Sequence, residues 1–353
     1  MPSSPSATTA RGSPENNHKS ELQPVVAVKP KIYSAPMAGY TNYAHREMLR
    51  MLGGVDLIAT EMVSARSFVE LDSRGLEHPS RLWGVRDEPR PLCVQIWDND
   101  PDSLAEFARR LAFDFNVTVI DLNFGCPAKQ IAGRSASGSY LLQFPEQIGN
   151  IVRKTVRAAA PIPVTAKIRL GRTRDTVNAV DVAQAVEEAG AAGLTAHGRT
   201  AADMYSGRAD WEEISRIKPH LKSIPLIGNG DIRTVDDALF RLRNYPVDGI
   251  MIGRGGIDRP WLFRQIGQAL RGEEIDPEPT PREIRNLIFR HYELMKRQFD
   301  EKIVMILLRK TVCHYAVGRP GVRKFRNEIC STKNETEFFR LLNDFFDDCQ
   351  TCE

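Results

Sequence analysis

From residue 31 onward, short apolar runs alternate with longer amphipathic stretches, and this alternation constrains the fold more than any other feature of the chain. The runs cover residues 32–35, 56–60, 92–96, 118–122, 164–168, 194–197, 226–228 and 249–252. Between them lie segments such as 101–113, 145–159, 176–189, 211–221 and 234–242, whose apolar residues recur at helical spacing. Strands separated by helices pair in parallel, because each helix carries the chain back to the start of the next strand. Eight such units in roughly 240 residues fit a closed barrel. The expected class is therefore α/β, a (β/α)8 TIM barrel. A doubly wound open sheet is the runner-up, but Pro36-Met37-Ala38-Gly39 stands where a Gly-x-Gly-x-x-Gly turn would follow the first strand.

The pattern changes at both ends. Residues 1–28 are rich in Ser, Pro, Thr and Asn without an apolar stretch, which reads as a disordered leader. After Arg271, a Glu/Pro-rich connector leads to segments 282–299, 303–316 and 335–348, which read as helices without intervening strands. The expected organisation is a leader at 1–28, a barrel at 29–275 and a small all-helical C-terminal domain at 282–353. No run reaches the roughly 18 apolar residues of a membrane helix. Six dispersed cysteines point to reduced thiols in a cytoplasmic setting. Cys349-x-x-Cys352 lacks a second pair or a nearby histidine, so no metal site is expected.

Net charge is only +3, yet Arg309, Lys310, Arg319, Arg323 and Lys324 crowd one stretch with few acidic neighbours. Such a segment is either a solvated helical face or a phosphate-binding one.

Each strand runs into polar or glycine-rich sequence, and in a barrel those strand ends ring the active-site mouth. The turns Asn229-Gly230-Asp231 and Gly253-Arg254-Gly255 follow the seventh and eighth strands, where barrels commonly hold phosphate; the glycines could equally serve tight turns. Lys167 and His197 would enter the mouth from strands five and six. Positive charge beside the pyrimidine end of an isoalloxazine stabilises a reduced flavin, while a Schiff-base lysine and a structural histidine are the alternatives. Cys126, between Gly125 and Pro127, would be an accessible thiol able to donate a proton beside a flavin or to act as a nucleophile. Cys93 lies inside an apolar strand and reads as packing.

Taken together, Ala35-Pro36-Met37-Ala38-Gly39, Thr60-Glu61-Met62-Val63, Asn123-Phe124-Gly125-Cys126-Pro127, Lys167-Ile168-Arg169, His197-Gly198-Arg199-Thr200, Gly228-Asn229-Gly230-Asp231 and Ile252-Gly253-Arg254-Gly255 resemble the tRNA-dihydrouridine synthases. Ala128-Lys129 is most similar to the bacterial branches, and Arg309-Lys310 through Gly321 looks like the family's tRNA-binding tail. The resemblance implies an FMN-dependent oxidoreductase: NADPH reduces the flavin, which then reduces the C5–C6 bond of D-loop uridines in tRNA. It implies that Cys126 protonates C5 as hydride reaches C6. Pro36, Met37, Gln95, Lys167 and His197 would contact the flavin, and Asn229, Gly230, Asp231, Gly253 and Arg254 its ribityl phosphate. Asn123 and Arg169 would read the uracil, with Arg309, Lys310 and Arg319 on the tRNA. A monomer is expected. The chain departs from the family pattern at Asn42, where Asp is usual, and at Ala201, where Arg is common. A small-molecule FMN oxidoreductase of the dihydroorotate dehydrogenase type is the alternative enzyme; a tRNA-binding folding helper is the non-enzymatic one.

Overall fold

The computed structural model describes residues 30–347; the expected leader and the Cys349/Cys352 pair lie outside the described residues. The strands are β1 (Lys31–Ser34), β2 (Ile58–Ala59), β3 (Val63–Ser64), β4 (Leu92–Trp97), β5 (Val119–Phe124), β6 (Val164–Arg169), β7 (Gly193–His197), β8 (Leu226–Asn229) and β9 (Gly249–Ile252). All pair in parallel in the order β1-β9-β8-β7-β6-β5-β4-β2. The ring closes where Tyr33 bridges Leu57 and the Ser34 N–H donates to the Leu57 carbonyl at 3.0 Å. β2 and β3 both lie against β4, so they are two halves of one stave and the barrel has the eight staves expected. The second apolar run ends at residue 60, before Glu61 and Met62; the stave resumes beyond them at Val63–Ser64.

Register explains why the mouth is polar. Side chains alternate across a strand, so one parity faces the lumen and the other the helices. Pairings Gln95↔Asp121, Asp121↔Thr165, Asn123↔Lys167, Arg169↔His197 and His197↔Asn229 place these residues side by side on the lumen face. The intervening Val94, Ile96, Ile120, Leu122 and Phe124 are buried in the main apolar core.

The helices around the barrel are α1 (Tyr43–Leu52), α2 (Ala65–Ser73), α3 (Pro101–Phe113), α4 (Pro145–Ala159), α5 (Ala179–Glu188), α6 (Trp211–Ser215), α7 (Val235–Asn244), α8 (Arg254–Asp258) and α9 (Leu262–Arg271). Asn42 caps α1, its Oδ1 accepting the His45 N–H at 3.1 Å. Asn and Asp serve this role equally well, so the departure at Asn42 leaves the helix start intact.

Four helices follow: α10 (Pro281–Met295), α11 (Glu301–Tyr315), α12 (Val322–Ser331) and α13 (Glu335–Phe345). The sequence reading found three of them and missed α12, which buries only Phe325 and Ile329 and, Val322 and Cys330 aside, is otherwise polar. One turn's worth of apolar spacing is too little for a periodic signal. These helices share a second core, which takes in Ala44 and Met48 of α1 and Trp261. The tail is thus docked on the barrel through α1. At this junction His45 and His291 lie with ring centroids 6.1 Å apart, both fully buried; burial is the first cause that lowers their pKa values to about 4 and about 3. Among the described residues, no helix is long and apolar enough to cross a membrane.

Candidate active site

A cavity of about 890 Å³ opens at the C-terminal ends of the strands. Pro36, Met37, Gln95, Asn123, Cys126, Lys167, Arg169, His197, Asn229, Gly230, Asp231, Gly253 and Arg254 all line it. Arg309, Lys310 and Arg319 do not.

Cys126 is held by its own backbone. The Asn123 side-chain oxygen accepts the N–H groups of Gly125 at 3.1 Å and Cys126 at 2.9 Å. Asn123 Nδ2 donates to Gln95 Oε1 at 2.8 Å, and Gln95 Nε2 donates to Asp121 Oδ2 at 2.7 Å. Thr165 Oγ1 completes the chain by donating to Asp121 Oδ1 at 2.6 Å. Both ends of the Asn123 and Gln95 amides are therefore engaged within the protein, which gives each a role in placing the cysteine loop. Behind the loop, Gly138 has φ +58°, and a Cβ there would lie 2.8 Å from the Cys126 carbonyl oxygen. Only glycine fits without moving the cysteine. Arg169 supports the other side, its Nε donating to the Gly125 carbonyl at 2.9 Å and its Nη1 to the Thr200 and Met204 carbonyls, both at 2.8 Å.

Electrostatics separate the titratable groups. Burial pushes the Cys126 thiol up, against the lowering effects of the Ala128 N–H, Arg169, Lys167 and Arg81, so it stands protonated at neutral pH. Lys167 is lowered to about 8, first by burial and then by Arg169, and remains mainly an ammonium. His197 is pushed well below its usual value by burial and by the cations Lys167, Arg169, Arg199 and Arg254. It is neutral, so of the two the Lys167 ammonium alone carries charge.

Asp231, expected at a phosphate, accepts from Arg199 Nη2 at 2.9 and 2.8 Å, from Arg254 Nη2 at 3.3 Å and from the Ala209 N–H at 2.7 Å. A carboxylate would repel a phosphate, so its contribution is to aim these guanidiniums. Gly230, at φ +133°, is a required glycine, because a Cβ would meet the Ala209 Cβ at 2.5 Å.

The family model described as dihydrouridine synthase matches residues 33–350. The chain belongs to the dihydrouridine synthase family. It is 37% identical over 335 residues to a probable tRNA-dihydrouridine synthase of Mycobacterium tuberculosis, covering 91% of this chain and 83% of that protein. It is 39% identical over 302 residues to tRNA-dihydrouridine synthase B of Pseudomonas aeruginosa, covering 85% and 87%. A probable tRNA-dihydrouridine synthase of Rickettsia conorii is 35% identical over 304 residues, with 86% and 89% covered. Dihydrouridine synthases are oxidoreductases, and this member is an enzyme of that class.

In this dihydrouridine synthase the three tail cations are engaged within the protein. Arg309 Nη2 donates to the Thr332 carbonyl at 2.9 Å and Nη1 to the Met305 carbonyl at 3.3 Å, tying α11 to the end of α12. Lys310 Nζ donates to the Gly39 carbonyl at 3.1 Å and lies 3.5 Å from the Tyr40 ring centroid, so it belongs to the barrel rim. Arg319 packs over Phe346 at 5.4 Å. Arg323 and Lys324, by contrast, are exposed.

Several residues at the site escaped the sequence reading. Asp121 was legible as a charge inside an apolar strand. Arg199, buried within a motif already noticed, had no signal beyond that motif. Tyr205 lines the cavity with Arg169 and Arg254 at 5.5 and 5.3 Å from its ring, and Tyr40 and His314 line it as well. None of these three has a neighbour pattern in sequence that marks it.

Proposed function

We propose that this chain is a tRNA-dihydrouridine synthase that reduces the C5–C6 bond of a uridine in tRNA, with FMN as cofactor, NADPH as reductant and Cys126 as the acid. The observation that carries the reading is a protonated, cavity-facing thiol beside a buried ammonium. A cysteine nucleophile needs a depressed pKa; burial raises that of Cys126, which suits proton donation.

The residues present fit FMN. Lys167 offers three N–H donors, and its side-chain acceptor among the described residues is Asn229 Oδ1 at 3.1 Å. The remaining donors suit an anionic ring edge on the cavity side. Arg254, with its side chain about a third exposed and aimed by Asp231, suits the phosphate. FMN held by Lys167 at its ring edge and Arg254 at its phosphate would supply the hydride chemistry for C6 of the uracil. The Cys126 Sγ–H bond then breaks towards C5, leaving a thiolate that Arg169 and Lys167 stabilise until it regains a proton from solvent. A base inside folded RNA must leave its stack to reach this cavity. Such a reaction belongs in the cytoplasm, where tRNA and NADPH meet.

The test is to load the protein with FMN, add NADPH and unmodified tRNA, and count dihydrouridines by mass spectrometry of nuclease digests. Appearance of dihydrouridine supports the reading. A flavin-loaded protein that leaves tRNA unchanged, yet turns over a free dihydropyrimidine acid, would point to a small-molecule oxidoreductase instead.

A further inference from the structure

The rim of the cavity carries a side-chain chain that neither the cysteine loop nor the buried cations use. Tyr40 lies on the turn after β1, its N–H donating to the Met37 carbonyl at 2.9 Å. His314 lies in the last turn of α11, and Asp258 ends α8. His314 Nδ1 is 2.7 Å from Asp258 Oδ1, and His314 Nε2 is 3.2 Å from the Tyr40 hydroxyl. A carboxylate only accepts, so Nδ1 carries the imidazole proton, and in the neutral ring Nε2 accepts from the Tyr40 O–H.

The same helix fixes the rest of the tyrosine. The His314 and Tyr40 rings meet edge to face, with centroids 5.0 Å apart and planes at 85°. One turn earlier on α11, the Lys310 ammonium sits 3.5 Å from the Tyr40 ring centroid and bonds the Gly39 carbonyl. Tyr40 is therefore a barrel residue whose hydroxyl and ring are both set by the helical tail. Tyr40 and His314 both line the cavity that holds Cys126.

A tyrosine on a surface turn is free to change rotamer unless bonded, and a hydrogen bond with a cation–π contact suffices to select one position. Selection matters here because reacting atoms must come within about 3–3.5 Å in the right orientation, and small displacements of a wall reduce the reactive fraction.

We propose that Tyr40 is a positioning residue for the everted uridine, held in place by His314 and Asp258. The helical tail then contributes to active-site geometry as well as to RNA affinity. This inference rests on the tRNA-dihydrouridine synthase reading above.

The experiment is single-turnover reoxidation. NADPH-reduced holoenzyme is mixed with unmodified tRNA over a concentration series, with rates normalised to bound flavin, for the parent, Tyr40→Phe, His314→Phe, His314→Gln and the double variant Tyr40→Phe/His314→Phe. Each Phe variant should lower the tRNA-saturated rate about tenfold, the effect of one lost hydrogen bond. The half-saturating tRNA concentration should stay within about twofold, since a positioning defect acts after binding. The double variant should be no slower than the slower single one, because both remove the same bond. His314→Gln, whose amide can meet the tyrosine hydroxyl, should recover most of the rate. Parental rates in the Phe variants, multiplicative losses in the double variant, or a change confined to half-saturation would each overturn the proposal. A parent enzyme that tRNA cannot reoxidise at all would overturn the dihydrouridine synthase reading, and this inference with it.

Discussion

Asn123 and Cys126 are joined side chain to backbone: the Asn123 Oδ1 accepts the Cys126 N–H at 2.9 Å, and the thiol's position follows from that bond. The two residues should fail differently when changed. Cys126→Ala removes the acid and keeps the loop, so FMN binding should persist while dihydrouridine formation falls by about 10²–10⁴-fold. Asn123→Ala keeps the acid but leaves two backbone N–H groups without their acceptor, so turnover should also fall, with reduced thermal stability. Turnover per bound flavin, read with a melting curve for each variant, distinguishes these outcomes; near-parental turnover in Cys126→Ala would remove it from the mechanism.

Deeper in the barrel, Gln95 relays between Asp121 and Asn123. Gln95→Leu fills similar space but leaves the Asp121 and Asn123 partners unpaired in a buried setting, at a cost of about 1–3 kcal/mol. Burial already raises the Asp121 pKa against the bonds from Thr165 and Gln95 and the charge of Lys167. Loss of the Gln95 bond should raise it further. Denaturant unfolding of Gln95→Leu should show a lower midpoint at unchanged slope, and an unchanged midpoint would mean that the relay contributes nothing to stability.

The barrel was legible because eight apolar runs at regular spacing leave little choice of topology, and the mouth was legible because each run ends in polar or glycine-rich residues. Lys167, His197 and Asn229 could be placed on one wall from those two facts alone. Charge state was not legible. His197 is neutral because its ring is buried and because β6 and the turn after β7 bring Lys167, Arg169 and Arg199 around it, a crowding that no linear spacing records. The tail was least legible: Arg309 and Lys310 read as free cations in sequence, yet one ties two helices together and the other covers Tyr40. The continuation of the second stave at Val63–Ser64 was not legible either, since two residues carry no periodic signature.

Acid should loosen the junction between barrel and tail. His45 and His291 are neutral when folded, with pKa values of about 4 and about 3, against about 6.5 in the unfolded chain. Below about 6.5 the unfolded state therefore binds more protons, and stability falls as pH drops from there towards about 4. Each histidine contributes a loss of about 1.4 kcal/mol per pH unit in that window. Melting temperatures measured between pH 7.5 and 5 should fall, and His45→Phe should reduce the slope if its ring is accommodated. A stability profile flat across that window would show that these rings take up protons without unfolding.

RNA affinity should depend on cations that face solvent. Arg323 and Lys324 on α12 are exposed, and the partner of Lys324 is a half-exposed Glu328 at 3.8 Å, a pair that water and salt weaken readily. Arg309 is different, because its guanidinium is bonded to the Thr332 and Met305 carbonyls. Charge reversal at Arg323 and Lys324 should weaken tRNA binding and lower the slope of log affinity against log salt by about 0.7–0.9 per lost phosphate contact. Arg309→Ala should leave that slope unchanged and instead lower the melting temperature, since two carbonyls at the α11–α12 junction lose their donor. Fluorescence anisotropy with labelled tRNA across a salt series, paired with melting curves, separates the two effects. A salt slope that responds to Arg309 and not to Arg323 or Lys324 would mean that tRNA binding breaks the Arg309 bonds to reach its guanidinium.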